Sequence, residues 1–106
     1  MSKRLMVVGA HSADFVWRAG GAIAVTTAAG GTAQVLALSY GERGESGELW
    51  KEPGMTVERV KEARHAEAER AAAALGAEFE CLDLGDYPLE VDKVGLEAIA
   101  KRIRAF

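Results

Sequence analysis

The chain has 106 residues, 49% of them apolar and 27% charged, with a formal net charge of -3. That length suffices for one small domain burying roughly 60–70% of its unfolded surface, and the slight acidity leaves no basic footprint for nucleic acid or an anionic membrane. The single cysteine, Cys81, excludes an internal disulfide and points to a reducing, cytoplasmic setting.

Lys3 and Arg4 precede an apolar stretch, as a signal peptide would begin, but the stretch soon runs into His11 and Asp14 with no cleavage region. No run reaches the roughly 18–20 apolar residues that span a bilayer. Residues 4–10 read as a buried parallel strand, because the run is continuously apolar without alternation and ends at Gly9 and a turn. Residues 15–29 suggest a helix that Gly20-Gly21 weakens, each glycine costing about 1 kcal/mol against alanine. Such a pair fits a helix packed very close to a sheet or leaving room beside a site. Gly30-Gly31 ends this helix, and residues 33–38 form a second strand.

Residues 39–55 form a long loop where connections of about 2–6 residues are usual. Its Tyr40, Leu49 and Trp50 imply that part of it docks. Residues 57–75 are a strong helix whose 100° projection places Val57, Val60, Ala63, Ala71, Ala74 and Leu75 on one face. Arg64 and Glu67 share that face as an i,i+3 pair, and His65 points to the solvent side among glutamates. Cys81 lies in the third strand, 78–84, as a small core residue; a short loop with Asp86 and Tyr87 follows. The last helix, 92–105, carries a stripe of Leu96, Ile99, Ala100, Ile103 and Phe106.

The β-α-β-α-β-α order implies an α/β fold: a Rossmann-like parallel sheet with helices on both faces. Three strands make a poor doubly wound sheet, and the final helix has no cap or following strand, so residues 1–106 are expected to be the N-terminal portion of a single larger domain. In a parallel sheet the strand C-terminal ends share one rim. Topology alone therefore gathers His11 and Asp14, the acidic second loop, and Asp86 with Tyr87.

His11-Ser12-Ala13-Asp14 is the segment with the most chemistry. An imidazole and a carboxylate three residues apart on a strand-to-helix turn supply two donors to a divalent metal, with positions left for water or substrate. Taken alone, two donors are weak grounds for a site: His11 can equally be a structural turn residue and Asp14 a helix N-terminal charge.

Ala10-His11-Ser12-Ala13-Asp14-Phe15 followed by Gly20-Gly21 resembles the first motif of the LmbE/PIG-L de-N-acetylase-like superfamily, usually Ala-His-Pro-Asp-Asp-Glu with a Gly-Gly pair beyond. The resemblance extends through Ser39-Tyr40-Gly41-Glu42-Arg43-Gly44 and the Arg64-x-x-Glu67-x-x-x-Ala71-x-x-x-Leu75-Gly76 helix. It implies His11 and Asp14 as ligands of a divalent metal, zinc first. The family's third ligand, a later histidine, has no counterpart in this sequence. The family's general base, its first aspartate, is replaced by Ala13, and the glutamate after the second aspartate by Phe15.

With Phe15-Val16-Trp17-Arg18 and Gly41-Glu42-Arg43-Gly44-Glu45-Ser46, the variant resembles the family's 4-oxalomesaconate hydratase branch. That implies addition of water to an unsaturated tricarboxylic acid in gallate and protocatechuate degradation, with a small carboxylic acid as partner and self-association left open. Glu45, between Gly44 and Gly47, is the expected acid/base, ahead of Glu48 and Glu42. Arg43 and Arg18 are expected to bind substrate carboxylates. The alternatives are a zinc N-deacetylase recruiting Glu42 or Glu45, and a non-enzymatic binding module with a vestigial site.

Overall fold

A computed structural model describes residues 3–106. Strand β1 (Arg4–Gly9) leads into helix α1 (Asp14–Ala28), strand β2 (Thr32–Ala37), a one-turn helix α2 (Gly47–Trp50), helix α3 (Val57–Ala74), strand β3 (Glu78–Cys81) and helix α4 (Lys93–Ala105). The three strands pair in parallel in the order β1-β2-β3, with Val7 opposite Val35 and Val35 opposite Phe79. This is the expected Rossmann-like arrangement.

Because the strands follow one another across the sheet, right-handed crossovers place α1 and α3 on the same face. Their core joins Phe15, Ile23, Ala68 and Ala72 to Ala33 and Val35, with Leu5, Val7 and Phe79 packed against it. Alternation along the strands sends Glu80 to the opposite face. There the Arg102 guanidinium of α4 grips it through Nε at 3.0 Å and Nη2 at 2.8 Å. Helices therefore cover both faces. Thr56 caps α3 by accepting from the Arg59 amide, and Asp92 caps α4 by accepting from Gly95. The Thr27 hydroxyl donates to the Leu75 carbonyl at 2.6 Å, tying the ends of α1 and α3 together.

Several expectations are corrected. The third strand stops at Cys81 because Asp83 takes a left-handed φ of 53°, although the amides of Leu82 and Leu84 still bond to Ala37 and Leu38. On α3 the buried residues are Val60, Ala68 and Ala72, and Ala74 is exposed. The inward ridge is the i,i+4 row through residues 60, 64, 68 and 72, turned toward Ala68 and Ala72 from the expected face, which already includes Arg64. His65 is half-buried rather than fully solvated. Its ring lies edge-on to both Tyr40 and Phe79, with centroids 5.7 and 5.5 Å away. On α4 the apolar stripe is not buried as a unit: Gly95 is the buried residue, while Leu96 and Ile103 are exposed. The Gly20-Gly21 pair serves no close approach, since a Cβ at Gly21 would meet nothing within 4 Å and one at Gly20 only the Phe15 carbonyl at 4.0 Å. Among the described residues no helix is long and apolar enough to cross a membrane.

Candidate metal centre

The first site turn closes on itself. The Asp14 amide donates to the His11 carbonyl at 3.2 Å, and the His11 amide donates to Asp14 Oδ2 at 2.9 Å. Ser12, almost fully buried, donates through its hydroxyl to the Tyr40 carbonyl at 3.1 Å, which locks this turn to the loop after β2.

That loop is ordered rather than free. The Ser46 hydroxyl donates to the Gly41 carbonyl at 2.9 Å, and the Trp50 indole donates to the Glu42 carbonyl at 2.6 Å. Tyr40 and Trp50 thus dock, as their apolar character implied. Gly41 has a left-handed φ of 63°, and a Cβ there would meet Glu45 Cβ at 3.1 Å and His11 Cβ at 3.5 Å. The left-handed backbone and the tight turn onto Glu45 favour glycine here.

The result is a cluster of His11, Asp14 and Glu45 whose donor atoms all lie within 4.8 Å of one another. His11 Nδ1 stands 3.5 Å from Asp14 Oδ2 and 3.3 Å from Glu45 Oε1. Two ligands each about 2.0–2.1 Å from a tetrahedral zinc are separated by about 3.3–3.4 Å. One imidazole and two carboxylates at these spacings fit a divalent cation. Glu45, on the second loop, is the third of the three groups that could hold such an ion.

The other edge of the His11 ring faces Asp86, with Nε2 to Oδ1 at 3.4 Å. The second oxygen of Asp86 accepts from the amides of Arg43 at 2.9 Å and Gly44 at 2.8 Å. Burial alone would raise this carboxyl, but the amides of Gly44 and Arg43 and the His11 imidazole outweigh it and hold it below its ordinary value. A carboxylate on Nε2 favours the tautomer protonated there and leaves the Nδ1 lone pair free toward Asp14 and Glu45. Asp86 had been placed on the rim by topology alone; no spacing motif marks it.

Arg18 lines the cleft with His11, Asp14, Phe15 and Glu45, in a cavity of about 460 Å³. Arg64 joins Ala13, Asp14, Trp17, Arg18 and Glu45 around an adjoining hollow. Its expected pair with Glu67 exists at 3.4 Å, yet its buried Nε has no partner among the described residues. The Arg43 side chain is exposed and does not line these hollows; what Arg43 contributes here is its amide. Glu42 is buried and accepts from the Tyr40 amide, and Glu48 is exposed and paired with Lys51 at 2.9 Å, so neither joins the cluster.

Compared with known proteins, residues 6–106 match the PIG-L family, GlcNAc-PI de-N-acetylase. A 4-oxalmesaconate hydratase from Pseudomonas putida is 54% identical over 98 residues, which is 92% of this chain and 38% of that protein. The crystal structure of the 4-carboxy-2-hydroxymuconate hydratase of Pseudomonas putida superposes with a TM-score of 0.94 at 52% identity, covering 97% of this chain and 43% of that one. An N,N'-diacetylchitobiose deacetylase from Pyrococcus horikoshii shares the fold, with a TM-score of 0.84 at 20% identity over 98% of this chain and 38% of that one. The chain thus spans about two-fifths of the length of the hydratases it matches.

Proposed function

Because this chain belongs to the PIG-L family and carries Ala13 where the family's base is expected, we propose that it forms the metal-holding part of a hydratase for an unsaturated tricarboxylic acid of the 4-oxalomesaconate type. The observation that carries the reading is the make-up of the cleft: a methyl group at Ala13, Glu45 beside His11 and Asp14, and guanidinium groups on the wall. The names and identities of the two hydratase relatives support it.

In this reading His11, Asp14 and Glu45 hold a divalent metal, zinc first, and Asp86 fixes the ring of His11. The bound ion would supply Lewis acidity toward substrate oxygens. Hydration breaks one O–H bond of water, adds the hydroxyl to one carbon of the double bond and places a proton on the other. Glu45, the most exposed carboxylate of the cluster and carried on a loop, is the group we assign to take the proton from water and return one to carbon. Arg18 and Arg64 on the wall hold the substrate carboxylates, while Arg43 acts through its amide on Asp86. No proton acceptor is needed at Ala13, because no amide is cut. A soluble metabolite as substrate and a single free thiol suit a cytoplasmic enzyme.

The test is loss of the conjugated ultraviolet absorbance of 4-oxalomesaconate on incubation with metal-loaded protein. Unchanged absorbance with metal present sinks the proposal.

A further inference from the structure

Tyr40 and His65 meet outside the cleft, and both lead back into it. The Tyr40 hydroxyl lies 2.7 Å from His65 Nδ1. Burial, and next the neighbouring Cys81, raise the Tyr40 phenol above its ordinary value, so it stays a neutral hydroxyl that shares a hydrogen bond with the ring nitrogen. The main chain of Tyr40 joins both site loops. Its carbonyl accepts from Ser12, between His11 and Asp14, and its amide donates to the buried carboxylate of Glu42, at 3.2 Å. One residue on, the Gly41 carbonyl accepts from the Glu45 amide at 3.0 Å. A second route runs through rings: His65 packs edge-on to Phe79, which lies 6.1 Å from Phe15, the neighbour of Asp14.

We propose that Tyr40 and His65 are positioning residues, and that their side-chain hydrogen bond anchors to α3 the two turns that carry His11, Asp14 and Glu45. The inference rests on the metal reading of those three residues. His11 and Asp14 are held by the sheet and by α1, which Asp14 opens, and the Ser39 amide bonds to the Ala10 carbonyl; Glu45 lies further along the second loop, so its distance from them depends on what that loop is fastened to. Helix α3 is a rigid element beside that loop, and this hydrogen bond fastens Tyr40 to it. Neither residue touches the reacting groups; each acts through Ser12 and Gly41.

The test is a double-mutant cycle of Y40F, H65F and the pair, with cobalt(II) as the probe of the metal centre and amide hydrogen exchange as a second readout. Each change keeps an aromatic ring, so the edge-on packing survives in kind. Loss of one hydrogen bond is expected to weaken cobalt binding about three- to tenfold in either single variant, with the double variant no worse than the weaker single one. Exchange at the Glu45 amide should quicken by a similar factor while the amides of β2 stay unchanged. Additive losses, or cobalt affinity equal to wild type in Y40F, overturn the proposal. If wild-type protein takes up no cobalt, the metal reading fails by itself, and exchange decides: an unchanged Glu45 amide in Y40F overturns the positioning role.

Discussion

Asp86 faces His11 Nε2 at 3.4 Å, on the edge of the ring opposite Asp14 and Glu45. One imidazole therefore meets carboxylates on both sides, and they have different work. Asp14 and Glu45 converge with Nδ1 on one point, whereas Asp86 is buried, held by two amides, and out of reach of that point. A carboxylate placed behind a ligating histidine typically changes metal affinity by about 10–100-fold. D86N should weaken zinc or cobalt binding by about that factor, measured by competition with a chromogenic chelator. Affinity equal to wild type would remove Asp86 from the centre.

Glu45 is given two roles, third donor and acid/base, and E45Q separates them. The amide can still offer a neutral oxygen to the metal but cannot carry a proton. Turnover of the oxalomesaconate-type acid should fall by about 10²–10⁴, while cobalt is still taken up with reduced affinity. Retained turnover would move the acid/base elsewhere.

Arg64 combines a buried Nε, unpartnered among the described residues, with a place on the cleft wall. An unsatisfied buried donor costs about 1–3 kcal/mol, so removing it should not harm the fold. R64M is expected to unfold at the same temperature as wild type or higher, and to raise KM for the tricarboxylate about tenfold or more. A large drop in the unfolding midpoint, with KM unchanged, would return Arg64 to the structural role suggested by its spacing from Glu67.

Cys81 is expected to be inert at neutral pH. Burial pushes its thiol up; the Asp83 backbone and the Tyr40 hydroxyl pull it down, and the charges of Asp83 and Glu42 add to the rise, leaving it at about 11. At pH 8 only about one thiol in a thousand is ionised, so alkylation by iodoacetamide should run about 100-fold slower than for a free cysteine. The rate should climb about tenfold per pH unit until near pH 11. Fast labelling at pH 8 would contradict this environment.

The sequence carried the fold because β1 is a continuous apolar run, the glycines beyond α1 end that helix, and the strand and helix patterns alternate along the chain. His11 and Asp14 stood out because the motif around them resembles a known family, and Glu45 because it lies in the second loop of that resemblance, bracketed by glycines. Asp86 and Arg64 were not legible in these roles. Asp86 reaches His11 across 75 positions of chain, and nothing local distinguishes it from other loop aspartates. Arg64 falls on the expected apolar face of α3, but its spacing from Glu67 reads as a structural pair and nothing local marks it as a cleft wall. His65 was misplaced because its sequence neighbours are charged, whereas Tyr40 and Phe79, which decide its position, arrive from the second loop and the third strand.

Gly20 and Gly21 give the last prediction, because their apparent purpose did not survive. A glycine inside a helix costs about 0.5–1 kcal/mol against alanine through the freedom it loses on folding. That cost would be offset if a Cβ were sterically excluded, as at Gly31, where it would lie 2.8 Å from the Lys3 and Thr26 carbonyl oxygens. Gly21 lies within α1, is exposed and has open space where the Cβ would go. G21A should therefore raise the thermal midpoint by a few degrees, the shift expected for about 0.5–1 kcal/mol in a domain this size, whereas G31A should lower it. The pair of variants is read by thermal denaturation followed by circular dichroism. A destabilised G21A would mean that something covers this face of α1 in the folded protein.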